Sequence, residues 1–176
     1  MEAWITLDKA RALFAAAGKD YDALKKAAAQ RDFRPVPLGF RASFTINNKI
    51  RTIESNNAVA KTEGSDPKLR NQYVIYTAHW DHFGIGEPVN GDKIYHGAAD
   101  NASGVAGVLE IAAAFKKTQP APRRSILFVF VTAEEQGLLG SEYYAAHPLY
   151  PLEKTAANIN IDKLNTLGRT KDFVVV

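Results

Sequence analysis

Ser125-Ile-Leu-Phe-Val-Phe-Val-Thr-Ala-Glu-Glu135 is the stretch on which the fold turns. Its apolar run, Ile126 to Val131, is far too short to cross a membrane and suits a buried strand. Two carboxylates follow directly at the strand's end. Upstream, Tyr73 to Ala78 is a second compact apolar strand, and it delivers His79 at its own C-terminal end. Between the two, Ser103 to Lys117 repeats apolar residues at helical spacing through Val105, Val108, Leu109, Ile111, Ala112 and Phe115, until Pro120 and Pro122 close it off. Downstream, a helix from about Leu138 to Ala146 leads to a strand from Ala156 to Ile161, which ends at Asp162. Phe173 to Val176 starts another strand. Strands alternating with helices predict an α/β sandwich of three layers, with a central mixed, largely parallel sheet. Reactive groups recur just past the carboxyl ends of strands, where open α/β sheets place their sites.

The remaining N-terminal sequence is read more coarsely. Leu7 to Gln30 predicts two short helices, with Asp8 capping the first, Gly18 ending it and Asp20 capping the second. Leu13, Phe14, Tyr21 and Leu24 give them faces to bury. Arg34-Pro-Val-Pro-Leu38 breaks helix and runs extended. Phe40 to Ile46 and Ile50 to Lys61 predict two strands joined at Asn47-Asn48, and Gly64 to Pro67 a turn. The expected organisation is a helical lead-in over residues 1–38 packed on a catalytic domain over residues 39–176.

Composition narrows the function classes. A net charge of +3 is spread over scattered clusters such as Lys25-Lys26 and Arg123-Arg124, without interleaved aromatics, so nucleic acid is not an expected partner. No run is long enough for a membrane span, and the N-terminus, with Glu2 and Asp8, does not read as a signal peptide, which leaves the compartment open. The 176 residues contain no cysteine, so any metal must be held by carboxylates and imidazoles.

Four segments can supply them: His79-Trp-Asp81, Asp100-Asn-Ala-Ser-Gly104, Glu134-Glu135 and Asn160-Ile-Asp162. One imidazole with several carboxylates is a donor set suited to zinc. Taken singly, each has an ordinary reading. Asp100 resembles a helix cap, Glu134-Glu135 an acidic loop, and Asn101-Ala-Ser103 also fits a glycosylation acceptor. His82, His96 and His147 are read as structural. Adjacent carboxylates repel one another when buried without a cation, so the pair at 134 and 135 gains most from a metal.

In order and in context, Gly97-Ala-Ala-Asp100-Asn-Ala-Ser-Gly104 and Glu134-Glu135-Gln-Gly-Leu-Leu-Gly-Ser141 resemble the co-catalytic di-zinc aminopeptidase family that includes aminopeptidase Y and glutamate carboxypeptidase. The similarity runs from about Tyr73 to Asp172. More faintly, the N-terminal part resembles the lead-in of members that carry a protease-associated domain. The resemblance implies a zinc-dependent exopeptidase acting on peptides, most simply an aminopeptidase. It implies that His79, Asp100 and Asp162 hold one zinc, that Asp100 bridges to a second zinc shared with Glu135, that Glu134 is the general base, and that Asp81 orients His79. It also favours a secreted or periplasmic location.

A last histidine ligand of the family pattern falls beyond Val176, as do several strands. The chain as given is therefore expected to hold one zinc or fewer firmly, to show reduced or no activity, and to expose a sheet edge open to self-association. A glutaminyl-cyclase-like single-zinc transferase and a non-catalytic binding domain of the same fold are the alternatives. Lys163 stands where an apolar residue is usual in the family.

Overall fold

The structure is a computed structural model and describes residues 4–165 and 168. Its contacts divide the chain into two compact units, Met1–Arg51 and Thr52–Val176.

In the first unit, α1 (Leu7–Ala16) and α2 (Tyr21–Ala28) form the expected pair. Thr6, not Asp8, caps α1, and its hydroxyl accepts from the Lys9 amide at 3.4 Å. Thr6 is the last extended residue, so Asp8 already lies in the first turn, where its charge suits the helix N-terminus. Gly18, at φ +67°, ends α1, and the Asp20 carboxylate accepts from the Ala23 amide at 2.9 Å. Phe14 and Tyr21 meet edge to face at 5.2 Å, and Arg11 grips Asp22 through two hydrogen bonds of 3.1 Å. Leu13 stays 40% exposed, outside that contact.

The strands expected over Phe40 to Ile46 and at the start of Ile50 to Lys61 do not form. Their apolar residues, Phe40, Phe44, Ile46, Ile50 and Ile53, all remain exposed. A two-stranded ribbon with no face to bury is marginal in water. Only the end of the second segment finds a partner and becomes β1 (Ala58–Thr62).

The second unit is built on β2 (Tyr73–His79) and β5 (Ser125–Val131), which pair in parallel with His79 opposite Val131. β1 adds antiparallel to β5, and β6 (Thr155–Asn160) adds parallel to β2, giving the order β1-β5-β2-β6. The sheet is mixed and largely parallel, as expected. Alternation along the strands gives it two buried faces. Tyr73, Ile75, Leu127, Val129 and Val131 pack with Tyr144 of α4 (Leu139–Ala146). Ala78, Ile126 and Phe128 pack with Val108, Val105, Ile111, Ala112 and Phe115 of α3 (Ser103–Lys117). Leu109 was expected in that stripe but is 56% exposed, because it lies roughly 100° from the stripe's centre at 3.6 residues per turn.

Sequence reading missed one element. β3 (Gly84–Val89) and β4 (Asp92–Tyr95) form a separate hairpin through Asn90 and Gly91, both at positive φ. Asn-Gly between two strands is the strongest short-range hairpin signal. The strand expected to begin at Phe173 lies outside the described residues.

The start of β5 is pinned from below. Ser125, fully buried, donates its hydroxyl to the Arg70 carbonyl at 2.6 Å and accepts from the Gly64 amide at 2.9 Å. Gly64 has no room for a side chain, since a Cβ there would lie 2.5 Å from the Arg123 carbonyl oxygen. Ser125→Ala leaves both main-chain groups without their partner and should cost about 1–3 kcal/mol in urea unfolding. A loss within error of zero would mean that water replaces the hydroxyl.

Candidate metal centre

The sheet's parallel core carries three chain segments to one edge. β2 ends on His79, β5 runs into the turn that holds Glu134 and Glu135, and β6 runs into Asp162. The Ile161 amide donates to the Thr77 carbonyl at 2.8 Å, so Asp162 emerges beside His79. The fourth segment enters from the side. Gly97, at φ +61°, opens an irregular turn over Ala98–Ala102 that presents Asp100 just before α3. The Asp100–Asn101 peptide bond in that turn is cis.

His79 is the hub. It is 2% exposed, and its Nε2 lies 2.9 Å from Asp100 Oδ1, 3.2 Å from Asp162 Oδ1 and 3.9 Å from Glu134 Oε2. Its other nitrogen, Nδ1, faces the main-chain carbonyl of Asp81 at 3.0 Å. That carbonyl, rather than the Asp81 carboxylate 3.9 Å away, orients the ring. The Asp81 carboxylate accepts from the Glu134 amide at 3.4 Å and so holds the base of the Glu134 turn. Glu135 also comes close: His79, Asp100 and Glu135 each offer a donor atom within 4.8 Å of the others.

The Glu134 turn is tight. Ala133 and Leu138 take positive φ without being glycine, and Gly137 does so at +101°. The Gly137 and Leu138 amides both donate to the Glu134 carbonyl, at 3.0 and 2.8 Å. The Gly140 amide, at the start of α4, returns to the Thr132 carbonyl at 2.9 Å.

The electrostatics ask for a cation. Burial holds the Glu134 carboxyl above the ordinary carboxylate range, and the charges of Asp162, Glu135 and Asp100 push the same way, against His79. Burial works against a charged His79, but the Asp81 carbonyl and the carboxylates of Glu134 and Asp162 outweigh it and hold the imidazole above its usual range. One Nε2 proton cannot serve two carboxylates equally well. A cation can. Donors about 2.0–2.1 Å from a tetrahedral ion stand about 3.3 Å apart, close to the spacings at His79 Nε2. Imidazole nitrogen and carboxylate oxygen suit a borderline divalent ion, so the residues present fit a metal.

The six residues singled out in the sequence are thus neighbours, although His79 and Asp162 are 83 positions apart. Of the other three histidines, one borders the site through Glu135 and two pair elsewhere. His82 bonds the Tyr95 carbonyl at 3.1 Å and has its Nε2 3.3 Å from Glu135 Oε1. His96 pairs with Asp92 on the exposed hairpin, and His147 stacks on Tyr143. Asn101 is no glycosylation acceptor in this fold, because it is 2% exposed with both polar atoms of its amide hydrogen-bonded. Beside the hub, Thr77, Glu134 and Asp162 border a cavity of about 350 Å3 that runs beneath α4 along Ile75, Val129 and Val131.

A family pattern covers this whole region. The family model described as peptidase family M28 matches residues 57–176. The chain belongs to peptidase family M28. Among relatives of this M28 chain, aminopeptidase NAALADL1 of Mus musculus is 35% identical over 132 residues, which cover 72% of this chain and 16% of that protein. A probable leucine aminopeptidase 2 of Aspergillus oryzae is 34% identical over 120 residues, covering 68% and 21% respectively. A crystal structure of a peptidase M28 precursor from Shewanella amazonensis SB2B shares 33% identity, with a TM-score of 0.51 over 60% of this chain and 22% of that one. The M28 chain therefore spans about a fifth or less of the length of these curated relatives.

Proposed function

We propose that this chain carries the catalytic core of a zinc-dependent exopeptidase that removes N-terminal residues from peptides. The observation that carries the reading is the convergence of Asp100, Asp162 and Glu134 on the buried Nε2 of His79, with Glu135 in ligand range. Membership of a peptidase family and the aminopeptidase names of its relatives support the same reading. His79, Asp100 and Asp162 would hold one zinc, and Asp100 with Glu135 would serve a second.

Zinc, when bound, supplies Lewis acidity that polarises a peptide carbonyl and makes a water molecule acidic near neutral pH. The chain's own residues do the rest. Glu134 accepts the proton of the attacking water and passes it to the leaving amine as the C–N bond breaks. Its partial burial, and a turn held by Asp81, keep that carboxylate aimed at the hub. The Asp81 carbonyl fixes the ring orientation of His79. Free carboxylates around the hub would also draw the α-ammonium of a peptide's first residue.

The test is a zinc titration of chelator-treated protein, followed by thermal unfolding. An ion that binds only the folded state at 100 times its Kd stabilises by about 2.7 kcal/mol, and His79→Ala should abolish that rise. A folded, metal-free chain whose melting is indifferent to zinc would overturn the proposal.

Self-association is a second part of the reading. Among the described residues β6 ends the sheet, with Ala156 to Asn160 exposed and no charge or proline along it. An uncharged, open edge strand is a template for pairing with another copy. Light scattering at rising concentration should show dimers or larger species, and a monomer at every concentration would count against it. Among the described residues no helix is long and apolar enough to cross a membrane.

A further inference from the structure

Asn101 sits next to one carboxylate of the hub and holds the chain on both sides of another. Its Nδ2 donates to the Ile161 carbonyl at 2.8 Å, and its Oδ1 accepts from the Lys163 amide at 3.0 Å. Ile161 and Lys163 are the two neighbours of Asp162. The same Oδ1 also accepts from the Gly104 amide at 3.0 Å, in the first turn of α3. Every polar atom of the side chain is thereby used, at 2% exposure.

The surroundings are shaped around this amide. A Cβ at Gly104 would overlap Asn101 Oδ1 and lie 2.7 Å from the Ile161 carbonyl oxygen, so only glycine lets the three segments meet. Lys163 has φ +66°, a region that lysine rarely takes, and its amide is the one Asn101 receives. Two residues on from Asn101, Ser103 adds a parallel tie: its hydroxyl donates to the Ala99 carbonyl and accepts from the Leu164 amide at 3.0 Å.

We propose that Asn101 is the positioning residue that sets where Asp162 stands relative to Asp100. This rests on the metal-site reading above. An amide suits the task because it offers a donor to one neighbour of Asp162 and an acceptor to the other at the same time. A carboxylate of the same shape would face the Ile161 carbonyl with no proton to give. Asp162 itself is exposed, with 55% of its side chain accessible, and Asn101 holds both of its chain neighbours, whereas the Ile161–Thr77 bond holds only the one before it.

The experiment uses the 176-residue chain with Co2+ as probe, read by affinity and by visible absorption. Metal-free thermal unfolding serves as the check on folding. Asn101→Ala and Asn101→Asp should bind Co2+ about 10- to 100-fold more weakly, with shifted absorption bands, as losses of residues that orient ligands typically do. Amide exchange at Lys163 in metal-free protein should speed up in both variants. Lys163→Gly placed in the Asn101→Ala background should recover part of the affinity, because glycine takes the positive φ without the amide's help. Should Asn101→Ala fail to fold, the near-isosteric Asn101→Asp decides. Unchanged affinity and spectrum in a folded Asn101 variant overturn the positioning role and leave the metal site standing. A folded, unsubstituted chain that binds no Co2+ instead sinks the site reading, and this inference with it.

Discussion

In a form extended past Val176, Glu134→Gln is expected to lower turnover of an aminoacyl chromogenic substrate by about 10²–10⁴-fold, the usual range for losing a positioned acid–base group. The amide keeps the size of the side chain and its place in the turn but cannot take a proton. Glu134 Oε2 lies 3.9 Å from His79 Nε2, against 2.9 Å for Asp100 and 3.2 Å for Asp162, and the proposed role makes it the base and not a ligand. Zinc affinity, measured by calorimetry on the same variant, should therefore stay within a few-fold of the unsubstituted protein. Equal losses of binding and turnover would instead make Glu134 a ligand. Turnover that survives in the variant would remove it from the chemistry.

Gly140→Ala is expected to be a strongly damaging small substitution in the second unit. A Cβ at this position would overlap the Thr132 carbonyl oxygen and lie 2.6 Å from Asn57 Oδ1 and 2.7 Å from the Thr132 amide. Two of these atoms are main chain and the third is fixed by bonds of its own. Asn57 accepts from the Thr132 amide at 3.0 Å and donates to the Gly140 carbonyl at 2.7 Å. The helix start must back away, which breaks those bonds and the Gly140–Thr132 link and loosens the turn that carries Glu134 and Glu135. Overpacking of this kind costs about 1–3 kcal/mol, and the lost hydrogen bonds add to it. The signature to look for is a lower denaturant midpoint together with weaker zinc binding. A midpoint equal to that of the unsubstituted chain would show that α4 can shift freely.

Much of this architecture was legible because β5 is buried on both faces and reads as an unbroken apolar run from Ile126, with β2 a mostly apolar one interrupted at Thr77. Their ends then located His79 and Glu134-Glu135 without any tertiary knowledge. Alternation was a poorer guide. Phe40, Phe44 and Ile46 have the spacing of a strand, but spacing says nothing about whether a partner is present. The β3–β4 hairpin was hidden by Pro88 and several glycines, which make the stretch look like loop, although Asn90-Gly91 marked its turn. At the site, residue types were readable and contacts were not. Asp81 was chosen for its carboxylate, whereas its carbonyl meets His79. Asn101 matched a surface motif because a tripeptide pattern carries no information on burial, and its three bonds reach residues 3 to 62 positions away.

The β3–β4 hairpin also offers a practical opening. Its strands are mostly exposed, yet its root is tied inward: Tyr95 receives His82, and Gly97 begins the Asp100 turn two residues later. Because the 176 residues contain no cysteine, Lys93→Cys would create a single thiol on this exposed ribbon. A fluorophore attached there would be the single label on the chain, on a residue outside the proposed metal ligands. Its signal would follow, from a distance and in real time, whatever metal or peptide does to the Asp100 turn.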